Sequence, residues 1–160
     1  MGRSDPLSPW QGAVMISRKK TDFIVIHCSA TRAIQAGIGA KDIRQWHLDK
    51  GWADIGYHFV IKRNGVVEKG RDIDLVGAGV EGHNANSVHI CLVGGLNDET
   101  WKPENNYTPQ QWDALEKLVS TLSKKYPAAK VLGHRDFAGV KKACPCFNAK
   151  PWAKKLGFPT

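Results

Sequence analysis

No apolar run in this chain approaches the roughly 20 residues that a membrane-spanning helix needs, so an integral membrane protein is excluded. The N-terminus lacks the charged, apolar and small-residue succession of a signal peptide. The basic residues carry no zinc-finger spacing and no RNA-binding signature, and there is no internal repeat or low-complexity tract. What remains is a soluble globular class. With 160 residues, 42% hydrophobic and 24% charged, the chain can bury the core of one domain and is too short for two ordinary ones.

The net charge of +8 favours polyanionic surroundings, whether nucleic acid, an anionic cell envelope or an acidic protein. Short basic clusters at Arg18 to Lys20 and Lys141 to Lys142 do not choose among them, and a solvated basic face is the simpler reading. Nucleic acid is not expected to be the primary ligand. The four cysteines, Cys28, Cys91, Cys144 and Cys146, would suit a disulfide framework in a secreted protein. Without a signal peptide they are expected to be reduced. Residues 1–20, opening "MGRSDPLSPWQGAV", read as a disordered extension or cloning remnant, which leaves 21–160 as the domain.

Strand and helix signals alternate from there. "DFIVIHCSATR" holds a short apolar, β-rich run that ends in His27. "AKDIRQWHLDKG" places Ile43, Trp46 and His47 at helical spacing and stops at Gly51. "YHFVIKRNGVVEKG" joins two β-rich runs through Asn64-Gly65, a hairpin signal. "SVHICLVGG" is a further buried strand. Thr108, Pro109 and Gln111 then form a capping box ahead of a helix lined by Trp112, Leu115, Leu118, Val119 and Leu122. "KVLGH" is a strand ending in His134, and a last helix starts near Asn148. The pattern is a single α/β domain with a mixed central sheet flanked by helices.

Two strands that finish in histidine, with Cys144 following in a Pro-containing loop, offer His27, His134 and Cys144 as three zinc ligands with the fourth position open. Cys146 competes with Cys144 in this reading, because a second thiolate would close the site and suit structural zinc. A histidine at a strand end and a buried cysteine also have plain packing roles. His58 should point opposite to Tyr57 and be structural or solvent-facing, and His89 should be satisfied by packing or hydrogen bonds. No glutamate stands out as a general base.

"HCSAT" at 27–31, "IRQWHLDKGWADIGYHFVIKRNG" at 43–65, "NSVHICLVGG" at 86–95 and "KACPCF" at 142–147 together resemble the zinc-dependent N-acetylmuramoyl-L-alanine amidases of phages. These belong to the type 2 amidase and peptidoglycan-recognition-protein family, and the likeness is strong to the amidase "lysozymes" of short-tailed coliphages. It runs from Asp22 onward with the motifs in order. The resemblance implies one zinc per chain on His27, His134 and Cys144, catalytic roles for Tyr57 and Lys142, and substrate contacts from His47, His83 and Asn84. It implies hydrolysis of the amide between N-acetylmuramic acid and L-alanine in peptidoglycan by a monomeric endolysin. Such an enzyme would accumulate in the host cytoplasm and reach the wall through another factor. Peptidoglycan-binding modules without activity share the fold but typically lose the cysteine ligand. Coliphage relatives also bind and inhibit their phage RNA polymerase, so that partner is implied as well. Two departures stand out: the loop from His134 to Cys144 is slightly longer, and Cys146 replaces a more usual serine.

Overall fold

The structure, a computed structural model, describes residues 15–160. In chain order its elements are β1 (Phe23–Cys28), β2 (Thr31–Arg32), α1 (Ala40–Asp49), β3 (Phe59–Ile61), β4 (Val67–Lys69), β5 (Ser87–Leu92), β6 (Gly95–Leu96), α2 (Pro109–Lys125), β7 (Lys130–Gly133) and α3 (Ala149–Lys155). Five strands form one mixed sheet in the order β4-β3-β5-β1-β7, and β2 pairs with β6 beside it. β1 runs parallel to β5 and β7, and β3 runs parallel to β5. β4 is antiparallel to β3 across the turn at Asn64-Gly65, where Gly65 takes the left-handed backbone (φ 86°) that glycine allows. The central strands are nearly continuous in apolar residues because both faces of a parallel sheet are covered.

One face is aliphatic. Ile24, Ile26, Val88, Ile90 and Val131 pack against Leu115, Val119 and Leu122 of α2 and against Ala149 and Ala153 of α3. Each fully buried large aliphatic side chain in this layer contributes about 1.5–3 kcal/mol. The opposite face is covered by α1, through Ala40 and Ile43 against Val60 and Cys91, and by loops that bring Val80 and Phe137 onto Val25 and Leu132.

The helix signals hold. Gly51 follows α1 with φ 92°. Ile43 and His47 are buried, whereas Trp46 is 40% exposed. At α2, Thr108 Oγ1 accepts from the Gln111 N–H at 3.1 Å, and Gln111 Oε1 accepts from the Thr108 N–H at 3.0 Å. Gln111 does more than cap. It is fully buried, and its Nε2 donates to the carbonyls of Ile61 and Val93, pinning the helix start to the sheet.

The packed chain begins earlier than the boundary at residue 21. Ser17 bridges to Leu75, and Arg18 donates from its backbone N–H to Asp74 O and from Nε to Ile73 O. The rest of the expected extension, residues 1–14, lies outside the described residues. Among the described residues, no helix is long and apolar enough to cross a membrane, and the four cysteines are free.

Candidate active site

The site lies on the α1 face, near the ends of β1 and β7. Side-chain alternation along β1 puts His27 on that face while Ile26 and Cys28 turn to the aliphatic layer. His134 follows directly where β7 ends, in a single helical turn over residues 134–136. The loop carrying Cys144 is tied back to that turn, since the Arg135 N–H donates to Cys144 O at 2.9 Å and the Arg135 guanidinium reaches Ala143 O and Asn148 Oδ1. The Tyr107 hydroxyl holds the next residue through Pro145 O at 2.6 Å.

Two imidazoles and a thiol therefore converge. One donor atom from each of His27, His134 and Cys144 lies within 4.8 Å of the other two, and the His27 and His134 rings are 4.9 Å apart between centroids. Borderline nitrogen and soft sulfur donors with a fourth position unused by protein are a set that zinc accepts. The Cys28 N–H donates to Cys144 Sγ at 3.1 Å, the kind of outer contact that orients a ligating sulfur. Cys146 is not part of this cluster. Its backbone turns through φ 68°, and its Sγ lies 3.4 Å from Gly95 O and 3.9 Å from Cys28 Sγ.

Tyr57 packs its ring 5.0 Å from that of His27. Behind it stands Arg71, 1% exposed, whose guanidinium donates to the carbonyls of Ile55, Val76 and Asp54 and whose N–H donates to Tyr57 O. Burial pushes the Tyr57 phenol well above its ordinary range, so it stays a proton donor near neutral pH. Burial also holds His27 well below its usual value, with the charges of His134, His58 and Lys142 adding to the effect. His134 is lowered by desolvation and by Lys142. Lys142 is exposed and, with His134, lines two depressions, one of about 350 Å³ beside Tyr57 and one of about 630 Å³ beside His83.

The three expected substrate contacts divide. His83 lines the larger depression, with its ring 4.6 Å from that of Phe137. His47 lines the smaller one but is 7% exposed, and its Nδ1 accepts from the Gly56 N–H. Burial, then Lys50, pushes it down to about 4. Asn84 lines the larger depression as well. It is 5% exposed, and its Oδ1 accepts from the N–H groups of Gly79 and Val80 and contacts His89, so that oxygen is committed to the protein interior. His58 is not solvent-facing either. It is 1% exposed, with Nδ1 accepting from the His89 N–H and Nε2 against Leu75 O. His89 itself bonds to His27 Nε2 at 2.8 Å. One sequence signal pointed there: a histidine inside a buried apolar strand must find a partner.

Comparisons with known proteins give the family. Residues 17–147 match the model of the Amidase_2 family, described as N-acetylmuramoyl-L-alanine amidase. The chain is 48% identical over 137 residues to the endolysin of Enterobacteria phage K11, covering 86% of this chain and 88% of that one. It is 48% identical over 138 residues to the endolysin of Escherichia phage T7, covering 86% and 89%. Among solved structures, the N-acetylmuramoyl-L-alanine amidase LysC from Clostridium intestinale URNW superposes with a TM-score of 0.74 at 27% identity, covering 95% of each chain. Drosophila PGRP-LB gives 0.74 at 26% identity, covering 92% of this chain and 88% of that one. With its sheet, its His-His-Cys cluster and a family match across most of its length, this chain belongs to the N-acetylmuramoyl-L-alanine amidases of the Amidase_2 family.

Proposed function

We propose that the protein is a zinc-dependent phage endolysin that cleaves the amide between N-acetylmuramic acid and L-alanine in peptidoglycan. The observation that carries this is the convergence of His27, His134 and Cys144 within 4.8 Å, where His134 and Lys142 line two depressions. The three side chains would hold one zinc ion. When bound, zinc supplies Lewis-acid polarisation of the scissile carbonyl and the means to deprotonate water near neutral pH. Lys142 places an ammonium beside the charge that develops on the carbonyl oxygen, a stabilisation realised mainly in the transition state. The Tyr57 hydroxyl donates a hydrogen bond to the same oxygen. His83 borders the part of the groove that takes the sugar or the stem peptide. The enzyme acts on the wall after another factor gives it access from the host cytoplasm. A recognition module that only binds peptidoglycan has no need of the third donor, so Cys144 favours the hydrolase.

The test is release of free amino groups from purified wall material, with and without a chelator, alongside metal analysis of variants. Wild-type protein should carry one zinc per chain and lose activity with it. Cys144→Ser should lose both, whereas Cys146→Ser should keep both. Equal zinc in wild type and Cys144→Ser would remove Cys144 from the site. Undiminished amine release by zinc-free protein would end the zinc reading.

A further inference from the structure

We propose that Asn84 and His89 form a hydrogen-bond relay that fixes the tautomer of His27 and leaves its Nδ1 lone pair bare for the metal, making both residues positioning residues for the site. The inference rests on the zinc reading above and extends it to side chains outside the His27, His134 and Cys144 cluster.

The chain of reasoning starts at backbone groups, whose polarity is not adjustable. The N–H groups of Gly79 and Val80 both point at Asn84 Oδ1 at 2.9 Å, so the carbonyl end of this amide must face them. The same oxygen lies 2.8 Å from His89 Nε2. An oxygen can only accept, so His89 Nε2 carries the hydrogen. A neutral imidazole has one donor and one acceptor, which leaves His89 Nδ1 as an acceptor facing His27 Nε2 at 2.8 Å. His27 Nε2 must then donate, and His27 Nδ1 is the unprotonated nitrogen. The opposite tautomer of His27 would set two lone pairs against each other in a site where His27 is 1% and His89 0% exposed, and buried unpaired polar atoms are costly.

Two further features build this arrangement into the fold. The His89 N–H donates to His58 Nδ1, and the His58 N–H donates to His89 O, both at 2.9 Å; the two rings stack 3° from parallel. His89 is thereby locked in place on β5. Gly79 makes the room: a Cβ there would come within 2.5 Å of His89 Nδ1 and 2.8 Å of His27 Nε2. Only glycine lets these two nitrogens meet beneath that loop. Ligating histidines generally give their second N–H to a carboxylate, a carbonyl or water; here the acceptor is another imidazole.

The test compares His89→Leu, which fills similar volume without an acceptor, with His89→Asn, whose Oδ1 occupies the position of the lost Nδ1. Zinc affinity is measured by competition with a chromophoric chelator, and melting of the zinc-free proteins reports folding. His89→Leu should weaken zinc binding about 10- to 100-fold, while His89→Asn should stay within a few-fold of wild type. In parallel, long-range ¹⁵N NMR of zinc-free wild-type protein should find His27 protonated at Nε2. A proton on Nδ1 overturns the relay, as does wild-type affinity in His89→Leu or an equal loss in both variants. If wild-type protein takes up no zinc, the zinc reading fails, and the NMR tautomer still decides the relay on its own.

Discussion

Along β1, Ile24, Ile26 and Cys28 turn toward α2 and α3, while Val25 and His27 turn toward α1 and the loops. The neighbouring β5 repeats the division, with Val88, Ile90 and Leu92 on one side and His89 and Cys91 on the other. The aliphatic face gains from every side chain it covers, whatever its neighbour. The site face instead buries His27, His47, His58, His89 and Arg71, groups that are tolerable only when each polar atom has a partner. A satisfied hydrogen bond returns about 1 kcal/mol net, against about 1–3 kcal/mol lost when it is orphaned. Stability and chemistry are thus assigned to opposite sides of the same strands, and two adjacent residues can be used to separate them.

Ile26→Ala and His27→Ala should make the largest contrast. Ile26→Ala removes a side chain that is 0% exposed and should cost about 2–5 kcal/mol of stability, measured by denaturant unfolding. Zinc affinity and activity per folded molecule should stay near wild type. His27→Ala should abolish both zinc uptake and amine release, with a smaller loss of stability from the unpaired His89 Nδ1. If Ile26→Ala lost zinc as completely as His27→Ala, the two faces would not be independent.

The aliphatic face was the more legible in the sequence. Its helix declared itself through Thr108, Pro109 and Gln111, and its apolar stripe through Leu115, Val119 and Leu122. The histidine-bearing ends of β1 and β7 were readable for the same reason, because a short apolar run that stops at a histidine is a local pattern. What lay beneath them was not local. Whether His89 packs, bonds or ligates depends on what stands across the sheet, and period-2 alternation within one strand cannot supply the register that sets Val25 opposite His89. Arg71 looks like an ordinary surface arginine until three carbonyls from residues 54, 55 and 76 are brought around it. Asn84 was assigned to substrate by resemblance and does line the larger depression, but the turn of its Oδ1 toward the Gly79 and Val80 N–H groups is a tertiary fact that no local pattern carries.

Lys142 sharpens the comparison within the site face itself, because the proposed mechanism separates what would hold the metal from what would act on the substrate. Lys142→Ala should keep zinc and fold yet lose about 100- to 1000-fold in turnover, the scale of losing one oxyanion donor. KM should change much less, since the interaction belongs to the transition state. Lys142→Arg keeps the charge with a different shape and should recover activity only in part. Turnover near the wild-type rate in Lys142→Ala would make this a solvated surface lysine.

The last comparison concerns acid, and it should distinguish the two faces in zinc-free protein. Burial pushes His47 and His58 each down to about 4, whereas in an unfolded chain they titrate near 6.5. Between those values the unfolded state binds protons that the folded state refuses, so stability rises with pH through this window. The contribution is complete above about 6.5 and is lost as pH falls toward 4, with a slope of up to about 1.4 kcal/mol per pH unit for each group. His27 and His89 are shifted in the same direction by desolvation and steepen the fall. Unfolding free energies at pH 7, 5.5 and 4.5 should show it. His58→Gln removes one titrating group and should flatten the slope, while Ile26→Ala should lower the whole curve and leave its slope unchanged. A flat wild-type profile from pH 6.5 to 4.5 would mean that these histidines take up protons without unfolding, and the site face would then be open to water rather than built on buried, partnered imidazoles.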